Sequence, residues 1–159
     1  SVGVEMPEIG EVLEIGKGRI LREGSKLAIL SYGGRMVEVQ KAADNLEAKG
    51  LSTTIADARF AKPLDTELVE NLAREHEVLI TIEEGSIGGF ASRVVDHLIR
   101  NDLIRPSLKV RPMTLPDKFQ DQASPYDMYE EARLNAKHIE ATALAALGEE
   151  VMTEQSKRA

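Results

Sequence analysis

Leu27-Ala28-Ile29-Leu30-Ser31-Tyr32-Gly33-Gly34, followed by apolar residues at Met36, Val37, Val39, Ala42, Ala43 and Leu46, decides the fold. The first half is a short apolar run closed by paired glycines, which is the pattern of a strand buried on both faces. The second half repeats at helical spacing and stops at Lys49-Gly50, where glycine suits the C′ position of a helix. A buried strand feeding an amphipathic helix is the unit of a parallel sheet, and the rest of the chain repeats it. Thr53-Thr54-Ile55-Ala56-Asp57 predicts the next strand, and Pro63-Leu64-Asp65-Thr66-Glu67-Leu68-Val69 opens a helix whose free N–H groups Asp65 is placed to cap. Val78 to Glu84 predicts another apolar strand ending in two carboxylates. The turn Gly85-Ser86-Ile87-Gly88-Gly89 then leads into Val94, Val95, Leu98 and Ile99 at helical spacing, ending near Asn101. Leu108 to Met113 predicts a last strand, which Pro112 puts at a sheet edge, and helices follow over Pro125 to Ala132 and Asn135 to Leu147.

Upstream, Gly18 to Gly24 reads as a short strand closing in a Glu-Gly turn, and its nearness to Lys26–Ser31 predicts that the two pair antiparallel. The expected class is α/β: a three-layer α/β/α sandwich around a mostly parallel sheet of about five strands with one antiparallel edge strand. Residues 1–18 are expected to be a linker or arm from a preceding domain, 19–147 the α/β domain, and 148–159 a disordered polar tail.

At 159 residues, 42% hydrophobic and 30% charged, the chain can bury one core and not two. The absence of cysteine rules out disulfides, thiolate metal sites and cysteine nucleophiles. A net charge of −7, no Lys/Arg cluster, three Tyr and three Phe argue against nucleic-acid binding. No apolar run approaches the roughly 18 residues needed to span a bilayer, so no membrane partner and a cytoplasmic location are expected.

In such a sheet ligands sit beyond the carboxyl ends of the strands. Those ends carry Ser31-Tyr32-Gly33-Gly34, Asp57-Ala58-Arg59-Phe60 and Glu83-Glu84-Gly85-Ser86. Paired glycines before a helix could present N–H groups to a phosphate. A carboxylate within ~4 Å of that phosphate would oppose it by about 4 kcal/mol per charge pair at an effective dielectric near 20, so an anion there would need Arg35 or Arg59. Neither glycine cluster fits a dinucleotide or P-loop pattern, and no Gly-x-Ser-x-Gly elbow supports a triad from Ser31 or Ser86 with His76 or His97. His76, His97 and His138 lack metal-ligand spacing and read as structural or surface residues. Glu83 and Glu84 are adjacent in a strand and point to opposite faces, so one faces the crevice and the other is solvated or caps a helix.

Three stretches carry a family resemblance: Ala28 to Gly33, Asp57-Ala58-Arg59-Phe60-Ala61-Lys62-Pro63-Leu64-Asp65, and Thr81-Ile82-Glu83-Glu84-Gly85 with Gly88-Gly89-Phe90. Together they resemble the C-terminal domain of the transketolase-like, thiamine-diphosphate-dependent enzymes. Leu115-Pro116-Asp117-Lys118-Phe119 and the run Arg133 to Ile139 are similar to the tail of the 1-deoxy-D-xylulose-5-phosphate synthase family in particular. The resemblance implies a parent transferase that condenses pyruvate with glyceraldehyde 3-phosphate through a carbanion on thiamine diphosphate, feeding isoprenoid, thiamine and pyridoxal synthesis. In that family the diphosphate and its magnesium are held by a first domain and the activating glutamate by a second, and neither motif occurs in this sequence. The resemblance therefore implies a piece of the enzyme that is inactive alone, with no catalytic, cofactor-binding or metal residue. Its implied partners are the remaining domains of the same synthase, within a homodimer.

The sequence departs from that family at Gln122-Ala123, where His-Gly is common, and at Ala91, where Gly is usual. Ala91 implies that the turn before it needs no positive φ there. Asp57, Arg59, Lys62, Asp65, Glu83, Glu84, Gly88 and Gly89 are expected to form one face that docks against the rest of the synthase. Two other readings stay open: the C-terminal domain of a transketolase or a 2-oxoacid dehydrogenase β subunit, and a free-standing ligand-binding module.

Overall fold

The computed structural model describes residues 8–148. The tail expected over 148–159 therefore lies, past Gly148, outside the described residues. Five strands, β1 (Arg19–Arg22), β2 (Leu27–Tyr32), β3 (Thr53–Asp57), β4 (Val78–Ser86) and β5 (Lys109–Leu115), form one sheet in the order β1-β3-β2-β4-β5. The helices are α1 (Met36–Glu47), α2 (Thr66–Glu75), α3 (Phe90–Arg100), α4 (Pro125–Glu131) and α5 (Ala136–Leu147).

Alternation along the buried strands sorts the core into two halves. Leu27 and Ile29 of β2 and Val78, Ile80 and Ile82 of β4 join Val39, Ala42 and Leu46 of α1 and Ile139 and Ala143 of α5. On the opposite face Ala28 and Leu30 join Leu79, with Val69 and Leu72 of α2 and Phe90, Val94 and Leu98 of α3. The sandwich is therefore α1/α5 over the sheet over α2/α3, the expected three layers. Every one of these side chains is at most 2% exposed, and burying each contributes about 1.5–3 kcal/mol for the larger aliphatic ones. Helix α1 stops where expected: the Leu51 N–H donates to Leu46 C=O and the Gly50 N–H to Glu47 C=O, the paired bonds of a Schellman end with Gly50 at C′.

One expectation is overturned. Strand β1 does not pair with β2; it runs antiparallel to β3, with Arg19 opposite Asp57 and Ile20 opposite Ala56, and β3 separates it from β2. Both edges of β2 are taken by parallel partners, β3 and β4, which leaves no place for a hairpin. Gly24, which was read as a hairpin turn, instead passes across the start of β3, its N–H donating to Thr54 Oγ1 at 2.9 Å. At the other side, Pro112 lies in the edge strand β5, as its missing N–H demands.

Candidate functional site

Strand β2 feeds α1 on one face and β4 feeds α3 on the other, so the switch point of the sheet lies between their carboxyl ends, where Tyr32 pairs with Glu83. Both glycine-rich turns of the sequence meet here, and both are filled by the chain's own carboxylates. Glu83, 3% exposed, turns toward α3 and accepts hydrogen bonds from the Phe90 N–H at 3.0 Å and the Ala91 N–H at 2.9 Å. Gly89, the residue before the helix, has no side chain to cap it, and Glu83 supplies the acceptor from the strand. A Cβ at Gly89 would sit 2.4 Å from Glu83 Oε2, so the glycine is required by the approach of the carboxylate. Ala91 is the second residue of the helix, consistent with the expectation that it needs no positive φ.

Glu84 points to the other face, as strand alternation requires. Its carboxylate accepts from the Gly34 N–H at 2.9 Å, from Arg35 Nε at 3.2 Å and from the Tyr129 hydroxyl at 2.5 Å. The Arg35 guanidinium also lies 3.5 Å from the centroid of the Tyr129 ring, a cation–π contact. Arg35 is one of the two cations, with Arg59, expected to compensate an anion at this crevice, and the anion it meets is Glu84. Tyr129 was missed by sequence reasoning. It comes from α4, 45 residues away, and no local pattern announces it. Beside this cluster lies a small cavity of about 270 Å³, lined by Leu115, Gln120, Pro125 and Met128 with Glu84 and Tyr129.

Burial pushes the Glu84 carboxyl up, but hydrogen bonds from Tyr129 and Gly34, with the charge of Arg35, outweigh it and hold the group below the ordinary carboxylate range. The Tyr129 hydroxyl is raised, first by its bond to Glu84 and then by burial. The signs are opposite in effect. A depressed carboxyl contributes stability that is present above its unfolded value and lost as pH falls through the folded one. A raised phenol contributes stability that is present below its unfolded value and lost as pH rises through the folded one. The pair therefore acts fully between about pH 5 and 9. Tyr129→Phe should raise the Glu84 carboxyl toward its ordinary value in a carbon-detected NMR titration and lower stability by about 1 kcal/mol at neutral pH, after allowance for partial exposure. An unmoved Glu84 titration in that variant would show that the phenol does not hold the carboxylate.

The second group of expected residues holds the segment that enters the domain. Asp65 caps α2, accepting from the Leu68 N–H at 3.1 Å, and its other oxygen accepts from the Gly18 N–H at 2.9 Å. Asp57 accepts from the Arg59 N–H at 3.1 Å and pairs with Arg19 at 3.2 Å. Arg59, at φ +55°, reaches Glu11 at 3.7 Å. The Asp57–Asp65 loop thus grips the arm over residues 11–19. The arm itself leaves Ile9 (85%), Val12 (96%) and Ile15 (75%) exposed. Lys62 and Gly88 make none of these contacts.

The catalytic alternatives do not assemble. Ser31 is fully buried with Leu27 and Ile29 on the α1/α5 face, and its hydroxyl has no partner. His76 belongs to the opposite side, its Nδ1 facing the Leu72 carbonyl at 3.0 Å and its Nε2 the Thr54 hydroxyl at 2.7 Å. His97 sits 3.1 Å from Glu70. Among the described residues no group of three or more His, Asp or Glu is placed to hold a metal ion. None of their helices is long and apolar enough to cross a membrane. A diphosphate does not fit the glycine turns either, because the N–H donors of Gly34, Phe90 and Ala91 are already bound to carboxylates.

The described residues thus form a three-layer α/β/α sandwich whose switch-point crevice is closed by its own side chains. The family model of the transketolase C-terminal domain matches residues 16–139, and the chain belongs to that family. Among solved structures it is similar to a split-gene transketolase described as an inactive β4 tetramer, at 30% identity and TM-score 0.77, over 89% of this chain and 46% of that one. The fold is shared with a transketolase mutant from Pichia stipitis at 13% identity and TM-score 0.61, over 84% of this chain and 18% of that one. It is shared as well with a 2-oxoglutarate:ferredoxin oxidoreductase from Magnetococcus marinus at 15% identity and TM-score 0.54, over 82% and 20% of the two chains. The chain thus spans less than half the length of the proteins it matches.

Proposed function

We propose that this is the C-terminal domain of a 1-deoxy-D-xylulose-5-phosphate synthase, which supports the active site of a thiamine-diphosphate-dependent parent without contributing a catalytic group. The observation that carries the reading is the tail Leu115-Pro116-Asp117-Lys118-Phe119, similar to that family, leading into the helix whose Tyr129 closes the crevice on Glu84. The cofactor and its magnesium belong to other domains in this reading, in keeping with the carboxylates already seated in both glycine turns. Thiamine diphosphate, when bound there, supplies the carbanion. This chain's residues only position the surfaces around it.

The docking face in this reading is the arm and the loop that grips it, residues 1–18 being the arm and 19–147 the domain. Bare Ile9, Val12 and Ile15 beside the Arg59–Glu11 pair support it, because apolar side chains left in water along one segment mark a surface that a partner covers. Asp57, Asp65, Glu83 and Glu84 hold that face in shape, Gly89 makes room for Glu83, and Lys62 and Gly88 stand at its rim. The partner is the remaining polypeptide of the same enzyme, assembled as a homodimer in the cytoplasm. A transketolase parent is the second reading, favoured by the 30% identity to the split-gene transketolase.

Reconstitution separates the two. Added to a synthase lacking its own C-terminal domain, the chain should restore carbon dioxide release and 1-deoxy-D-xylulose 5-phosphate formation from pyruvate and glyceraldehyde 3-phosphate. Restoration only of two-carbon transfer from xylulose 5-phosphate, in a transketolase lacking that domain, would favour the second reading. Val12→Asp should lower the restored activity at least about tenfold by weakening association, since placing one charge in an apolar contact opposes it by more than about 1.4 kcal/mol. Its melting temperature alone should stay within about 2 °C of the parent chain, as expected for a surface change. Undiminished reconstitution by Val12→Asp and Arg59→Ala together would remove the arm from the interface.

A further inference from the structure

Away from the crevice, a groove of about 670 Å³ runs between the loop before α2 and the outer face of α3. Lys62, Pro63, Leu64 and Thr66 line one wall, and Ser92, Arg93, Asp96, His97 and Arg100 line the other. Arg93, His97 and Arg100 recur at helical spacing, so they form one stripe along α3. Two members of the stripe are already engaged, His97 with Glu70 at 3.1 Å and Arg100 with Asp96 at 2.8 Å. Lys62 and Arg93 are different: among the described residues neither has a carboxylate within ion-pair distance, although most other cations of this acidic chain do.

The fold uses Arg93 only through Nε, which donates to the Ala61 carbonyl at 2.9 Å. That bond orients the guanidinium at the groove, and among the described residues neither Nη group has an acceptor. Lys62 makes no hydrogen bond within the described residues, although it stands inside a motif whose Asp57, Arg59 and Asp65 all have structural partners. The Ser92 and Thr66 hydroxyls, also on the walls, have no internal acceptor among the described residues. Asp96, the one carboxylate on the lining, is bound through both oxygens by Arg100, at 2.9 and 2.8 Å.

We propose that this groove binds the phosphoryl group of a small phosphorylated metabolite, held between Lys62 and Arg93 with the Ser92 and Thr66 hydroxyls as further donors. Two unpaired cations match one doubly charged group, and a planar guanidinium beside a mobile ammonium is the pairing that oxyanions favour. The volume lies in the range of about 300–1,000 Å³ typical of small-ligand sites, and Pro63 and Leu64 give the organic part an apolar wall. The groove adjoins the proposed docking face at Lys62 but opens on the α3 side of that loop, and it does not depend on which parent enzyme the domain serves.

Titration of the 159-residue chain, followed by amide NMR at constant ionic strength, tests this. The probes are ribose 5-phosphate, inorganic phosphate, and succinate as a dianion without a phosphoryl group. Ribose 5-phosphate should shift the amides of Lys62, Leu64, Thr66, Ser92 and Arg93 saturably, phosphate more weakly, and succinate not at all. Lys62→Gln, which removes no internal bond, should weaken binding about tenfold, and adding Arg93→Gln should abolish it. A response that never saturates, equals that to succinate, centres on Gly33–Gly34 or Gly88–Gly89 instead, or survives Lys62→Gln unchanged would overturn the proposal.

Discussion

Glu83→Ala should lower the melting temperature of this domain by about 6–20 °C, because a buried carboxylate does the work of a helix cap. The Phe90 and Ala91 N–H groups lie inside the protein and have Glu83 as their acceptor. Hydrogen bonds to a charged group contribute about 1.5–3 kcal/mol each, and an N–H left bare in the interior loses its solvation as well. Two such bonds give roughly 3–5 kcal/mol once partial water entry is allowed, and a domain of this size shifts by about 2–4 °C per kcal/mol. Glu83→Gln should fall between, since one amide oxygen can still accept while the NH2 faces a donor. Gly89→Ala should resemble the alanine variant of Glu83 for a steric reason, its Cβ falling 2.4 Å from Oε2 of a carboxylate whose two oxygens are each pinned by one backbone donor. Calorimetric melting at pH 7 checks all three. A Glu83→Ala protein that melts within about 3 °C of the parent would mean that α3 is capped some other way.

The division of labour between Glu83 and Glu84 is legible in the sequence, because strand alternation alone sends neighbours to opposite faces. What each carboxylate reaches was only half legible. Gly88-Gly89 before a helix resembles an anion loop, and the clue that the anion is internal was a glutamate in the preceding strand, at the distance a folded turn bridges. Tyr129 had no such clue, since it arrives from α4 after the chain has left the sheet through β5. Three side chains of the Asp57–Asp65 motif point to the arm, which the motif alone does not announce, since only the fold brings Glu11, Gly18 and Arg19 to them. Short-range signals place caps, periods and turns. Long-range pairing depends on which strand edges remain free, and this is why the partner of β1 was misjudged.

That misjudged pairing gives the other large effect: Gly24→Ala should destabilise the domain by about 3–5 kcal/mol, against a total of roughly 5–15 kcal/mol for native proteins. A Cβ at Gly24 would lie 2.4 Å from the Thr53 carbonyl carbon and 2.6 Å from the Thr53 and Thr54 nitrogens. These are backbone atoms of β3, which is held by β1 on one side and β2 on the other, so neither side can yield. Gly24 must move instead. That breaks its bond to Thr54 Oγ1 and the return bond from Thr54 Oγ1 to the Gly24 carbonyl at 3.0 Å, and it loosens the hydroxyl that faces His76. Overpacking against rigid backbone opposes folding by about 1–3 kcal/mol, and each lost bond adds about 1 kcal/mol. Gly50→Ala is the informative control: its φ is +77° with nothing within 4 Å, so it should cost only about 1–2 kcal/mol of left-handed strain. Urea unfolding of the two variants separates steric exclusion from backbone strain. If Gly24→Ala unfolds at the same urea concentration as Gly50→Ala, the chain does not cross the start of β3 at Gly24, and the assignment of β1 to the far edge of the sheet fails with it.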